Sequence, residues 1–146
     1  MATQFVTFTL DDKLCGIPVE GIVEVLPGRE RTPVPLSPPD VAGLVNLRGQ
    51  VVLSIDLRER LGIDHFVSDD GAEQMMVVVH VGDENVALLV DKIGDVVEVE
   101  DDEFETPPQT LPEYLRAVIS GAYKLPGRLL LALDVDEATL TAEKAA

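Results

Sequence analysis

The chain has 146 residues, 46% hydrophobic and 26% charged, the profile of one folded domain or two very small ones and not of a disordered chain. A formal net charge of −16 makes a phosphate backbone a poor partner, because nucleic-acid binding depends on clustered Lys and Arg. No apolar run approaches the roughly 18 residues of a membrane span, and MATQFVTFTLDD lacks the basic-then-apolar pattern of a signal peptide, which points to a cytoplasmic protein without direct membrane insertion.

In chain order, Gln4 to Leu10 alternates as a strand does, Asp11-Asp12-Lys13 reads as a polar turn, and two short strands follow at Leu14 to Val19 and Ile22 to Leu26. Pro27-Gly28 ends the third strand, and four prolines between 33 and 39 force an extended connection. Strands at Leu44 to Leu47 and Val51 to Leu57 flank a turn at Arg48-Gly49, and the short segment DLRERLG closes this half. The second half predicts strands at 75–81, 85–90 and 93–99, a short helix around PEYLRAVIS, strands at 121–125 and 129–135, and a C-terminal helix over about 136–144.

The two halves are copies of one unit. LDDKLCGIPVEGIVEV (10–25) lies over VGDENVALLVDKIGDV (81–96), so that Asp12, Val19, Ile22 and Val25 match Asp83, Val90, Ile93 and Val96, with Glu20 and Glu24 on Asp91 and Asp95. GLVNLRGQVVLSIDL (43–57) lies over GAYKLPGRLLLALDV (121–135), matching Gly43, Leu47, Gly49 and Asp56 to Gly121, Leu125, Gly127 and Asp134. Five short antiparallel strands per copy favour closure into a small barrel, which removes exposed edges. The predicted architecture is therefore mostly β, a single domain over 1–146 built from two five-stranded antiparallel barrels, about 1–70 and about 74–136, packed on each other with a few short helices. A unit of this size is marginal alone, so the barrels share an apolar interface.

Catalytic chemistry is not written into the chain. Phosphate-cradling glycine motifs and the G-x-S-x-G elbow are absent, and Ser37, Ser54, Ser68 and Ser120 have no local activating base. The lone Cys15 reads as a small buried strand residue, and with only His65 and His80 there is no metal-ligand spacing; no cofactor is implied. The acidic run DVVEVEDDEFE (95–105) lacks the turn glycine of a calcium loop and reads as a solvated strand end. These absences argue against an enzyme and for a binding protein. The repeat adds one pointer: Arg48 is replaced by Pro126 in the second copy, so the fold makes this turn without a cation, and the asymmetry leaves Arg48 as either a site of diverged function or a solvated turn residue.

QFVTFTL, GIVEVL, VAGLVNLRGQVVLSIDLRERLG, VALLVDKIGDVVEVE and GAYKLPGRLLLALDVD, in this order, resemble the CheW family of chemotaxis coupling proteins from about Gln4 to Asp136. The resemblance implies SH3-like barrels and a free-standing, non-catalytic adaptor. Such an adaptor bridges the cytoplasmic tip of methyl-accepting chemoreceptors and the regulatory domain of a CheA-type histidine kinase, and is recruited to membrane-associated arrays. It further implies an ion pair between Glu24 and Arg48. Receptor contact falls in an apolar groove near Gly43, Leu44, Val45, Asn46, Arg48, Gly49, Val96 and Val97, and kinase contact at Val6, Val19 and Ile22. Two alternatives stand beside this reading: service to a pilus- or gliding-control array, and a small-molecule-sensing module, the latter disfavoured by the absence of Trp and by only two Tyr and four Phe.

Overall fold

The computed structural model describes residues 2–10, 13–28, 31–37, 40–61, 74–107, 109–111 and 113–139. The first half contributes β1 (Ala2–Leu10), β2 (Lys13–Pro18), a 3-10 turn at Val19–Gly21, β3 (Ile22–Pro27), β4 (Val41–Leu47), β5 (Gln50–Asp56) and α1 (Leu57–Arg60). The second contributes β6 (Met75–Val81), β7 (Glu84–Val90), β8 (Lys92–Glu100), β9 (Phe104–Glu105), α2 (Glu113–Arg116), β10 (Ile119–Leu125), β11 (Arg128–Leu133) and α3 (Val135–Ala138). Beyond Thr139, the expected C-terminal helix lies outside the described residues.

The strands form two sheets, ordered β3-β6-β7-β5-β4 and β8-β1-β2-β11-β10-β9. The repeat maps one order onto the other strand by strand: β3 on β8, β6 on β1, β7 on β2, β5 on β11 and β4 on β10. Even the two-residue β9, which pairs with β10, has a counterpart in the isolated bridge between Thr32 and Leu44 on β4. The expected division near residue 70 is nevertheless wrong as a division between sheets. Each sheet takes its first hairpin from the other copy, β6-β7 joining β3, β4 and β5 while β1-β2 joins β8 to β11. Full antiparallel pairing fails for the same reason, because the exchanged hairpins meet their hosts in parallel. Leu53, Ser54 and Ile55 run beside Val86, Ala87 and Leu88, and the equivalent Leu131 and Ala132 run beside Cys15 and Gly16.

The burial pattern explains the near-continuous apolar runs MMVVVHV, NVALLV and RLLLAL. Strands at the seams have both faces covered, as in sheets buried on both sides. Val77, Val79, Val86, Leu88 and Val90 face a central cluster between the sheets, together with Phe8, Cys15, Ile17, Leu131 and Leu133. The alternate residues Met76, Val78, Ala87 and Leu89 face a second cluster enclosed by their own sheet, shared with Leu26 of β3 and Val45 and Leu47 of β4. Edge strands β3 and β4 thus supply one interior, as a sheet curled into a barrel requires. In the other sheet Phe5, Leu14, Val99, Tyr123, Leu130 and Ala132 do the same, with Tyr123 stacked at 5.4 Å from Phe5 and 5.5 Å from Phe104.

Repeated residues have repeated tasks. Asp56 accepts from the Arg58 N–H at 3.0 Å and Asp134 from the Glu137 N–H at 3.2 Å, each capping the single helical turn that closes its copy. Gly43 and Gly121 let the preceding linker approach: a Cβ on Gly43 would stand 2.7 Å from the Thr32 carbonyl oxygen, and one on Gly121 would enter the Phe104 ring. Gly43, at φ +143°, also suits a bulge in β4 that lets buried Ser54 donate to its carbonyl at 2.8 Å.

One buried ion pair ties an exchanged hairpin to its host. Arg58 Nε and Nη2 donate to the two carboxylate oxygens of Asp91, at 2.7 and 2.5 Å, with both side chains buried. Removing either member strands a charge in the interior, which costs about 3 to 5 kcal/mol. Arg58→Ala and Asp91→Ala are each expected to lower unfolding free energy by about that amount in urea titrations. Cys15, in the central cluster, has its thiol pushed up to about 12 by burial. The folded state therefore holds its proton above the ordinary value of 9.0, and stability falls as pH rises from 9 towards 12, where only the unfolded chain ionises. In the native protein at pH 8, Cys15 should resist thiol-disulfide reagents and react only at the unfolding rate, whereas prompt labelling would place it outside the core.

Candidate functional site

The hairpin joining β4 to β5 carries the asymmetry that the repeat exposes. Leu47 pairs with Gln50, leaving the two-residue loop Arg48-Gly49 with φ values of +52° and +85°. Positive φ at both central positions defines a type I′ turn, the geometry that matches strand twist in tight hairpins. In the second copy Pro126 is held near φ −65° by its ring and only Gly127, at +76°, is left-handed, the pattern of a type II turn. Arginine gains nothing from the left-handed region, which costs an L-residue about 1 to 2 kcal/mol. The turn is supported by the Gly49 N–H donating to Asn46 Oδ1 at 3.0 Å.

This strained residue pairs with Glu24, as expected. Arg48 Nη1 donates to Glu24 Oε2, joining the turn after β4 to β3, and these are the two edge strands of one curled sheet. The pair straps the barrel across its unbonded seam. Glu24 is 22% exposed and Arg48 81%, so the pair contributes about 0 to 1 kcal/mol to stability. The rest of the Arg48 side chain stands largely in solvent.

The other candidates separate into two places. On the hairpin, Asn46, Arg48 and Gly49 are exposed and Leu44 half-buried, whereas Val45 and Gly43 are buried; Val45 shapes the barrel interior instead of offering a contact. On the other sheet, Val6 and Val96 are cross-strand partners, one expected at the kinase and the other at the receptor surface. Val96 is 57% exposed, Val97 packs against the Phe5-Tyr123 cluster, and Ile22 packs against the central cluster. Val19 is exposed at the rim of a cleft of about 580 Å³ shared with Thr3, Gln4, Glu20 and Glu98. The structure thus brings residues of β1, β8 and the turn before β3 to one rim between the sheets.

Further exposed apolar side chains escaped the sequence reading: Val23 on β3, Val51 at 67% on β5, Leu36 and Phe104. Val51 is the repeat counterpart of Leu129, which packs against the central cluster, so apolarity at this position reads in sequence as core. Among the described residues no cluster of His, Cys, Asp and Glu is arranged to hold a metal ion, and no helix is long and apolar enough to cross a membrane.

Comparison with known proteins agrees with this geometry. The CheW-like domain profile matches residues 4–142. The chemotaxis protein CheW of Treponema pallidum is 28% identical over 134 residues, covering 90% of this chain and 79% of that protein. The CheW of Bacillus subtilis is 29% identical over 133 residues, covering 91% and 84%. Among solved structures, the scaffolding protein TtCheW from Thermoanaerobacter tengcongensis superposes with a TM-score of 0.80 at 25% identity, over 91% of this chain and 89% of that one. With the profile spanning nearly the whole chain and the two-sheet architecture shared, this protein belongs to the CheW-like domain family.

Proposed function

We propose that this chain is a non-catalytic scaffold coupling the cytoplasmic tip of a transmembrane chemoreceptor to the regulatory domain of a CheA-type histidine kinase, held from the cytoplasm at membrane-associated receptor arrays. The observation that carries this reading is Arg48. A non-glycine residue held left-handed at a hairpin tip, strapped to Glu24 on the opposite edge of the sheet, is strain kept for a surface, since the second copy closes the equivalent hairpin with a type II turn that needs no left-handed side chain. Family membership and likeness to a scaffolding protein support the class of function.

In this reading the hairpin positions Leu44, Asn46, Arg48 and Gly49, with Val96 on the other sheet, meet the receptor. A helical hairpin laid on them engages aliphatic anchors within a polar rim, and Gly43, Val45 and Val97 hold those contacts in place from beneath. Val6, Val19 and Ile22 border the kinase surface. A strongly acidic scaffold steers basic partners and repels acidic ones, so both associations weaken or strengthen with salt according to partner charge.

Isothermal titration of the kinase regulatory domain and of a receptor-tip fragment tests the strap. Glu24→Ala and Arg48→Ala are each expected to weaken at least one partner by tenfold or more while shifting unfolding free energy by no more than about 1 kcal/mol. Arg48→Pro, which imposes the second copy's turn, should weaken binding similarly and leave the fold intact. Unchanged affinities in all three variants would make the strap ornamental and remove the observation on which the proposal stands.

A further inference from the structure

The repeat that pairs the two sheets also pairs two sites, only one of which is filled. It places Asp136 where Arg58 stands in the first copy and Glu20 where Asp91 stands in the second, so the arginine and its carboxylate partner are matched by two acids. Around Arg58 the guanidinium is gripped by both oxygens of Asp91, beside the central cluster that includes Ile55 and Leu88 and the Asp56 cap of α1. At the equivalent position lies a cleft of about 370 Å³ lined by Ile17, Leu133, Glu20, Asp134, Asp136 and His80. Ile17 is the counterpart of Leu88, Leu133 of Ile55 and Asp134 of Asp56. The cleft therefore shares the Ile17, Leu133 and Asp134 positions with the surroundings of Arg58, while among the described residues no guanidinium lines it.

We propose that this cleft receives the arginine side chain of a bound protein, its guanidinium held between Glu20 and Asp136 as Arg58 is held by Asp91. The independent support is the filled copy within the same molecule, where the carboxylate at Glu20's repeat position, Asp91, holds a guanidinium through both oxygens. Glu20 and Asp136 are exposed, Asp134 is partly engaged in capping α3, and His80 Nδ1 lies 2.9 Å from Asn85 Oδ1, which leaves the first two carboxylates available to a bidentate donor. Arg60 of α1 donates to the Glu137 carbonyl of α3 at 3.0 Å. The inference draws on the scaffold reading only for the source of the arginine.

The isolated, uniformly labelled chain can be titrated by NMR with N-acetyl-arginine amide, with the N-acetyl-citrulline amide of the same shape but no charge as control. The arginine probe is expected to shift the amides of Glu20, His80, Ser120 and Asp136 saturably, with a Kd on the order of 1 to 10 mM, and the citrulline probe to leave them in place. Glu20→Gln combined with Asp136→Asn should raise that Kd about tenfold or more. Asp136→Arg, which restores the first copy's pattern, should block the probe and raise Tm. Equal shifts by both probes, shifts elsewhere on the molecule, or an unchanged Kd in the double variant would overturn the proposal. Micromolar binding of free arginine would overturn its assignment to a partner's side chain in favour of a small ligand. Because no kinase or receptor enters the titration, its outcome is separate from that of the coupling experiments, and the comparison of the two probes on the unaltered chain decides even if a variant fails to fold.

Discussion

The exchange of hairpins between the two copies is the constraint from which the rest of the molecule follows. Because β6-β7 completes the sheet of β3, β4 and β5, and β1-β2 completes the other, neither sheet exists without both halves of the chain. The seam strands are then buried on both faces, one set of side chains filling a barrel and the alternate set filling the layer between barrels. Two units that would each be marginal alone become one cooperative body. Rigidity of that kind suits a protein whose surfaces have to be held at a fixed separation.

Against this symmetric frame, the asymmetric residues stand out. Arg48 replaces a proline turn and straps the free edges of one barrel, Arg58 fills a site whose twin is open, and Val51 stands exposed where its counterpart Leu129 is packed. Each departure costs stability locally: left-handed backbone at Arg48, desolvation at Arg58, exposed apolar surface at Val51. Arg48 and Val51 stand exposed at the β4-β5 hairpin, away from the seams, whereas Arg58 is buried across one and maintains the body.

Much of the fold was legible because strand alternation and turn chemistry are local properties. The ten longer strands were expected within a few residues, and the repeat was visible in Gly43 and Gly121 and in Asp56 and Asp134, whose tasks the structure shows to be the same. The exchange was not legible, since similarity between copies says which strands are equivalent but not which copy each will pair with. β9 is two residues inside an acidic run and has no period to detect. At the candidate site the Glu24-Arg48 pair was foreseen through family resemblance, whereas Arg58-Asp91 was hidden because its members belong to different copies and meet only across a seam. Val45 and Val96 look alike in sequence, and only the curl of each sheet decides that one is core and the other surface.

The coupling role is tested most directly by reconstitution. Receptor signalling fragments and the histidine kinase are mixed with and without this chain, and kinase autophosphorylation is followed as receptor state is varied. The scaffold account predicts that phosphorylation becomes receptor-dependent only when the chain is present, with the chain itself neither phosphorylated nor turning over substrate. Receptor control established equally well in its absence would contradict it.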